Sequence, residues 1–306
     1  MRKTQTSSRT GGDTQYLVEK ISQLDLRAWK GAARKVGSFH IRLFYYLAGM
    51  RADHAQEIRD ALWNSKTDAF KRDRWYRIVN FQYSDNPLSP KGSLINGGRF
   101  NYGSDIDPKT FHPFQALYIA EDEATAYAER FTSSSKNKST SFKPHELALR
   151  TEGSYSVVAV NFDVANILDI SNERNLQAFV EVVSKFPMPE DLKRLGQEIG
   201  RQPPWLIVST KELKEIFLDD NWRSHPMQFD IPSNPQILGK LLFDAGFEGV
   251  IYPSSKAARK KCVAVFSENF ENSNSFVELA DPAHAGVIHT RLDSQNCRTI
   301  IGSDSD

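Results

Sequence analysis

Cysteine is scarce in this chain of 306 residues, which has only Cys262 and Cys297. Two thiols without CxxC spacing support neither a disulfide framework nor a thiolate zinc site. Cys262 sits in an apolar run and reads as a small buried hydrophobe, whereas Cys297 lies in a polar tail. The seven histidines are scattered, and none stands in HExxH or His-x-His spacing, so no metal is expected. No run approaches the roughly 18 consecutive apolar residues of a spanning helix, so no membrane partner is expected. The basic N-terminus is not followed by an apolar stretch, which argues against a signal peptide and for a cytoplasmic location. Charge of one sign is also missing: 39 basic against 38 acidic residues leave a net +1. No global field then recruits nucleic acid, and direct nucleic-acid binding is not expected. The densest basic run, Lys256-Ala-Ala-Arg-Lys-Lys261, reads as a solvated loop or helix face, with a phosphate-facing patch as the alternative.

What the chain does have is aromatic bulk, with 19 Phe, 10 Tyr and 5 Trp to build a core. Residues 1–13 are polar and read as a disordered tail. Residues 14–73 read as an N-terminal helical region, with Leu17, Ile21 and Leu24, then Ile58, Leu62 and Trp63, at near-helical spacing. Asp53 is placed to cap the second run. From Arg74 the character changes to strands at Trp75–Val79, Ala116–Ala120, Tyr155–Phe162, Gly249–Tyr252 and Cys262–Phe266. Between them lie helical patterns at Glu173–Lys185, Pro189–Ile199, Lys211–Phe217 and Pro235–Ala245, the last closed by Gly246. A further helix follows Ala120, with Ala124, Tyr127, Ala128 and Phe131 as its apolar face. The tract Thr132–Ser141 reads as a surface loop, and residues 281–306 as a C-terminal tail. Irregular strand spacing without a βαβ rhythm indicates an α+β fold.

Four places join a polar group to constrained backbone. Gly97-Gly98-Arg99 is either a tight turn or a backbone able to approach a ligand, with a guanidinium fork suited to phosphate. Glu129 turns away from the apolar face of its helix, so it is solvent-facing unless that polar face lines a cleft. Tyr252-Pro253-Ser254-Ser255 follows a buried strand; without Gly-x-Ser-x-Gly or a nearby His and Asp, Ser254 acts by hydrogen bonding if it acts. Arg77 lies in an aromatic strand, where its stem can simply cover apolar surface.

Taken in order, Arg77, Gly-Gly-Arg-Phe-Asn at 97–101, Leu-Tyr-Ile-Ala at 117–120, Ala-Tyr-Ala-Glu at 126–129 and Gly-Val-Ile-Tyr-Pro-Ser at 249–254 resemble the motifs of the RES family. The 11-residue separation of Tyr118 and Glu129 (129 − 118) matches that family's pattern. The resemblance covers about Arg74–Leu279, with longer intervals than compact members between Arg99 and Tyr118 and from about Ser133 to Asn234. It implies an ADP-ribosyltransferase-like mixed β core with surrounding helices, a RES-like catalytic domain at 74–280, and an N-terminal helical extension. It also implies a bacterial enzyme that degrades NAD by phosphorolysis or hydrolysis, as the toxin of a toxin–antitoxin pair with an Xre-type antitoxin partner. NAD is then the substrate and inorganic phosphate a possible co-substrate. Arg77 and Arg99 would hold phosphates, Glu129 would stabilise the ribosyl cation, Tyr118 would lie near the nicotinamide, and Ser254 would hydrogen-bond ribose or carboxamide. Two alternatives stay open: an ADP-ribosyltransferase acting on a macromolecule, and a non-catalytic interaction protein.

Overall fold

Helical periodicity in the first part of the chain becomes two helices, α1 (Gln23–Asp53) and α2 (Ala55–Trp63), in a computed structural model that describes residues 23–131 and 154–300. The readings for residues 1–22, Leu17 and Ile21 among them, and for 132–141 and 301–306 lie outside the described residues. Ile58 and Leu62 are buried as their spacing predicts. Asp53 does not cap α2. It is the last residue of α1, whose hydrogen bonding continues as His54 N donates to Met50 O, and His54 takes the N-cap position without a side-chain bond to the helix backbone.

The first strand, β1 (Thr67–Asn80), starts earlier than its aromatic stretch suggests. Its charged first half, Lys71-Arg-Asp-Arg74, is exposed and buries only Phe70, so the sequence pattern there is that of a loop. β1 runs antiparallel to β3 (Tyr155–Asp169) for most of its length, with an irregularity between Arg72 and Trp75 where Arg74 adopts φ 59°. β2 (Leu117–Ala120), β4 (Gly249–Pro253) and β5 (Lys261–Val265) complete a cycle in the order β1-β2-β5-β4-β3, and the β1–β3 pairing closes it. β6 (Phe276–Leu279) and β7 (Arg291–Leu292) extend the sheet beyond β3. The architecture is therefore α+β, with a closed five-strand barrel-like sheet and helices around it.

Strand alternation divides the apolar residues into two cores. Trp75, Leu117, Ile119, Ile251, Val263 and Val265 share one cluster, while their neighbours Tyr76, Tyr118, Ala120, Val250, Tyr252, Cys262 and Ala264 face the other. That second core carries the helices: α5 (Gln177–Val183) against α2, α7 (Thr210–Phe217), and α9 (Asn234–Asp244) over β4. Gly246 at φ 86° ends α9 as expected. Cys262 is buried as read, and burial pushes its thiol up. Cys297 differs from its polar-tail reading. With Leu292 and Ile300 it is buried in the first core, because the chain after β7 folds back over the sheet. Among the described residues, no helix is long and apolar enough to cross a membrane.

α1 meets α6 (Glu190–Glu198) and α8 (Ser224–Phe229). At the α8 contact His40 stacks on Phe229 at 5.0 Å and meets His225 edge-on at 5.3 Å. Burial, then the charges of His225 and Arg201, lower His40 from 6.5 to about 4. Between those values the unfolded chain binds more protons than the folded one, so stability rises with pH. The melting temperature should therefore fall as pH drops from 6.5 towards 4, and His40→Phe should flatten part of that slope.

Candidate active site

Four chain segments meet on the helix-bearing side of the sheet. After the short helix α3 (Lys91–Ile95) and β2, the helix α4 (Glu123–Phe131) starts where Asp122 Oδ1 accepts from Thr125 N at 2.7 Å and so caps it. Its buried residues are Thr125 and Ala126, while Tyr127 is 42% exposed and joins Phe131 and Tyr155 in an outer aromatic cluster. The inward face is thus turned from the one periodicity predicts, because Tyr127 and Phe131 pack on Tyr155, an exposed residue at the start of β3, and not into the buried core. That rotation brings Glu129 inward to a half-buried position. Its Oε1 accepts from Ser254 Oγ at 2.5 Å and from Ser255 N at 3.1 Å.

Ser254 follows β4 in a turn that its own hydroxyl organises, accepting from Lys256 N at 3.1 Å and Ala257 N at 2.9 Å. A single oxygen thus closes the turn and donates to the carboxylate. Both bonds to Glu129 fall on Oε1, which fixes the carboxylate plane and leaves Oε2 outside the pair. Behind them stand Tyr252 and Cys262, cross-strand partners on β4 and β5. Burial, then the neighbouring Cys262 and Glu129, push the Tyr252 hydroxyl up, so it stays a neutral phenol.

Arg99 is 7% exposed. Its Nη1 donates to Phe217 O at 3.1 Å and Asp219 O at 2.8 Å, and its Nη2 to Ser255 Oγ at 3.2 Å. It therefore ties the connection between α7 and α8 to the serine turn. Arg223, in that connection, donates to Gly97 O at 2.7 Å and stacks on Trp222. A side chain at position 98 would have to displace Tyr118, since a Cβ on Gly98 would lie 2.2 Å from Tyr118 Oη. That hydroxyl accepts from Phe100 N at 2.9 Å and donates to Asn101 Oδ1 at 2.8 Å, so Tyr118 clamps the glycine loop. Tyr118→Phe leaves the Phe100 amide without its acceptor and should cost about 1–3 kcal/mol, readable by chemical denaturation.

Arg77 is the outlier of the five. Alternation places it on the side of Trp75, away from Tyr118, and its Nη2 reaches Ser89 O at 3.4 Å. Its Nε and Nη1 are buried without a hydrogen-bond partner among the described residues, and burial, then nearby Arg130, lowers it to about 9. A cation so placed favours an anion. The structure thus joins Glu129 and Ser254 directly, Arg99 through Ser255, and Tyr118 through the 98–101 loop. Among the described residues, Arg77 shares no hydrogen bond or ion pair with them.

Three further residues belong to the cluster. Asp220 Oδ1 accepts from Ser255 Oγ at 2.8 Å, pairs with Lys256 Nζ at 2.9 Å and lies 3.6 Å from Arg99 Nη2. Burial pushes Asp220 upward, but the bonds from Lys256 and Ser255 prevail and hold it below the usual carboxylate value. Lys260 and Lys261 are paired outside the cluster, Lys260 with Glu121 and Asp122, Lys261 with Asp169. Ser255 was legible as a neighbour of Ser254, whereas the pairing of Asp220 with Lys256 joins positions far apart in sequence. Among the described residues, no three His, Cys, Asp or Glu side chains group as metal ligands.

The RES domain family matches residues 74–283 of this chain. Among solved structures, a chain of the M. tuberculosis MbcT-MbcA toxin–antitoxin complex is similar at 14% identity and a TM-score of 0.39, covering 81% of this chain and 98% of that one. A search of curated proteins found no match.

Proposed function

Because the chain belongs to the RES domain family, we propose that it breaks the nicotinamide–ribose bond of NAD, passing the ADP-ribosyl group to phosphate or water. One observation carries this reading: the Glu129 carboxylate is held from Oε1 by Ser254 and Ser255 next to the Arg99 guanidinium. Cleavage moves the electron pair of the C1′–N bond onto the nicotinamide nitrogen. The leaving group departs neutral from a cationic pyridinium, so no strong general acid is required. The charge that develops is positive, at C1′, and an oriented carboxylate stabilises it. An oxygen of phosphate or water then forms the new bond to C1′.

In this reading Glu129 binds the ribose and faces the cation, while Ser254 fixes its plane. Arg99, through its Nη2 edge, takes a phosphate oxygen. The hydroxyl of Tyr118 is committed to the glycine loop, which leaves its ring as the surface nearest the nicotinamide. Arg77, two of whose N–H groups lack a partner among the described residues, takes a second anionic group on the other face of β1. In the same proposal residues 74–280 are the catalytic unit and 14–73 an N-terminal extension that carries α1, α2 and the first residues of β1. Unchecked NAD loss would harm the cell that makes the enzyme, so an inhibitory partner of the Xre-type antitoxin class belongs to the same proposal.

The test is NAD consumption by the purified chain, with and without inorganic phosphate, products read by mass. Phosphate-dependent loss yielding ADP-ribose-1″-phosphate establishes phosphorolysis; free ADP-ribose establishes hydrolysis. Intact NAD under both conditions refutes the reading.

A further inference from the structure

Lys256, Arg99 and Ser255 converge on one carboxylate oxygen, Asp220 Oδ1. Two cations and a hydroxyl at 2.9, 3.6 and 2.8 Å form the donor set that a phosphate oxygen seeks. Asp220 comes from the connection between α7 and α8, not from a regular element, and Arg99 itself holds that connection through Phe217 O and Asp219 O. The Lys256 side chain is 12% exposed and that of Asp220 23%, so the pair is screened from bulk water without being sealed off.

We infer that Asp220 is a resident counter-anion, seated where a phosphate oxygen of the substrate binds and displaced when that phosphate arrives. The inference rests on the reading of Arg99 as a phosphate ligand. Asp220 then sets substrate affinity: each anion entering must replace a carboxylate already bonded to Lys256 and Ser255. Removing the charge while keeping the shape releases both cations and should tighten anion binding. A carboxylate that merely positions Lys256 and Arg99 would have the opposite effect, since its loss would weaken binding.

The experiment titrates inorganic pyrophosphate into the full chain, wild type and Asp220→Asn, by calorimetry, with Asp220→Ala as a second variant. Pyrophosphate should bind both variants on the order of tenfold more tightly than the wild type. With NAD, kcat/KM should rise about fivefold in Asp220→Asn, with the gain carried by KM. Unchanged or weaker pyrophosphate binding in both variants overturns the inference. Tighter pyrophosphate binding without any NAD turnover overturns the NAD reading and leaves Asp220 as the counter-anion of a phosphate site. NAD turnover with no change in pyrophosphate affinity overturns Asp220's role and leaves the NAD reading standing.

Discussion

Glu129→Gln should lower kcat for NAD cleavage by about a hundredfold or more, equivalent to about 2.7 kcal/mol of lost transition-state stabilisation. The substitution is nearly isosteric. The amide oxygen of glutamine still accepts from Ser254 Oγ and Ser255 N, so the turn and the side-chain plane are retained. Only the negative charge disappears, and with it the attraction for a positive C1′. KM should move far less than kcat, because the charge matters where the cation develops and little in the ground state. Thermal melting near the wild-type value, together with the turnover loss, separates electrostatic catalysis from a folding defect. Full turnover in this variant would remove Glu129 from the mechanism.

Glu129 also shows how far a linear sequence reaches. Its ordered spacing with Tyr118 and Ser254 was readable, as was an α+β arrangement of helices and strands. Its orientation was not. Helical periodicity ranks residues by apolarity, and in α4 the large rings of Tyr127 and Phe131 find Tyr155 on the outer side, so the apolar stripe is not the buried one. The early half of β1 was missed for a related reason. Its charged residues carry no strand signal, yet pairing with β3 holds them in the ladder from Thr67 onward. Cys297 and Ile300 looked like part of a tail because short apolar residues among polar ones give no period, although the fold buries them. The Asp220–Lys256 pair spans 36 positions (256 − 220) and depends on where two loops end up.

Glycine within a helix is usually a weakness, and Gly49 and Gly239 test opposite outcomes. Gly49 lies in α1, exposed, with nothing within 4 Å of an added Cβ. Gly49→Ala should stabilise the protein by about 0.5–1 kcal/mol, the ordinary gain in helix propensity. Gly239 lies in α9, and there a Cβ would stand 1.8 Å from Phe100 O and 2.5 Å from its carbonyl carbon. Those atoms are backbone of the loop that carries Arg99. One turn earlier, the buried Gln236 donates to Gly98 O at 3.2 Å and Asn101 O at 3.1 Å, which pins the loop to the helix. A methyl group cannot be absorbed by a side-chain rotation here; helix and loop must separate. Gly239→Ala should cost about 3 kcal/mol or more of stability, at the upper end of overpacking effects. The displacement moves Arg99 relative to Ser255, and a shift of about 1 Å costs on the order of a hundredfold in turnover. Denaturation curves and NAD turnover for the two variants decide the point: a Gly239→Ala protein as stable and active as Gly49→Ala would mean that α9 does not hold the loop this closely.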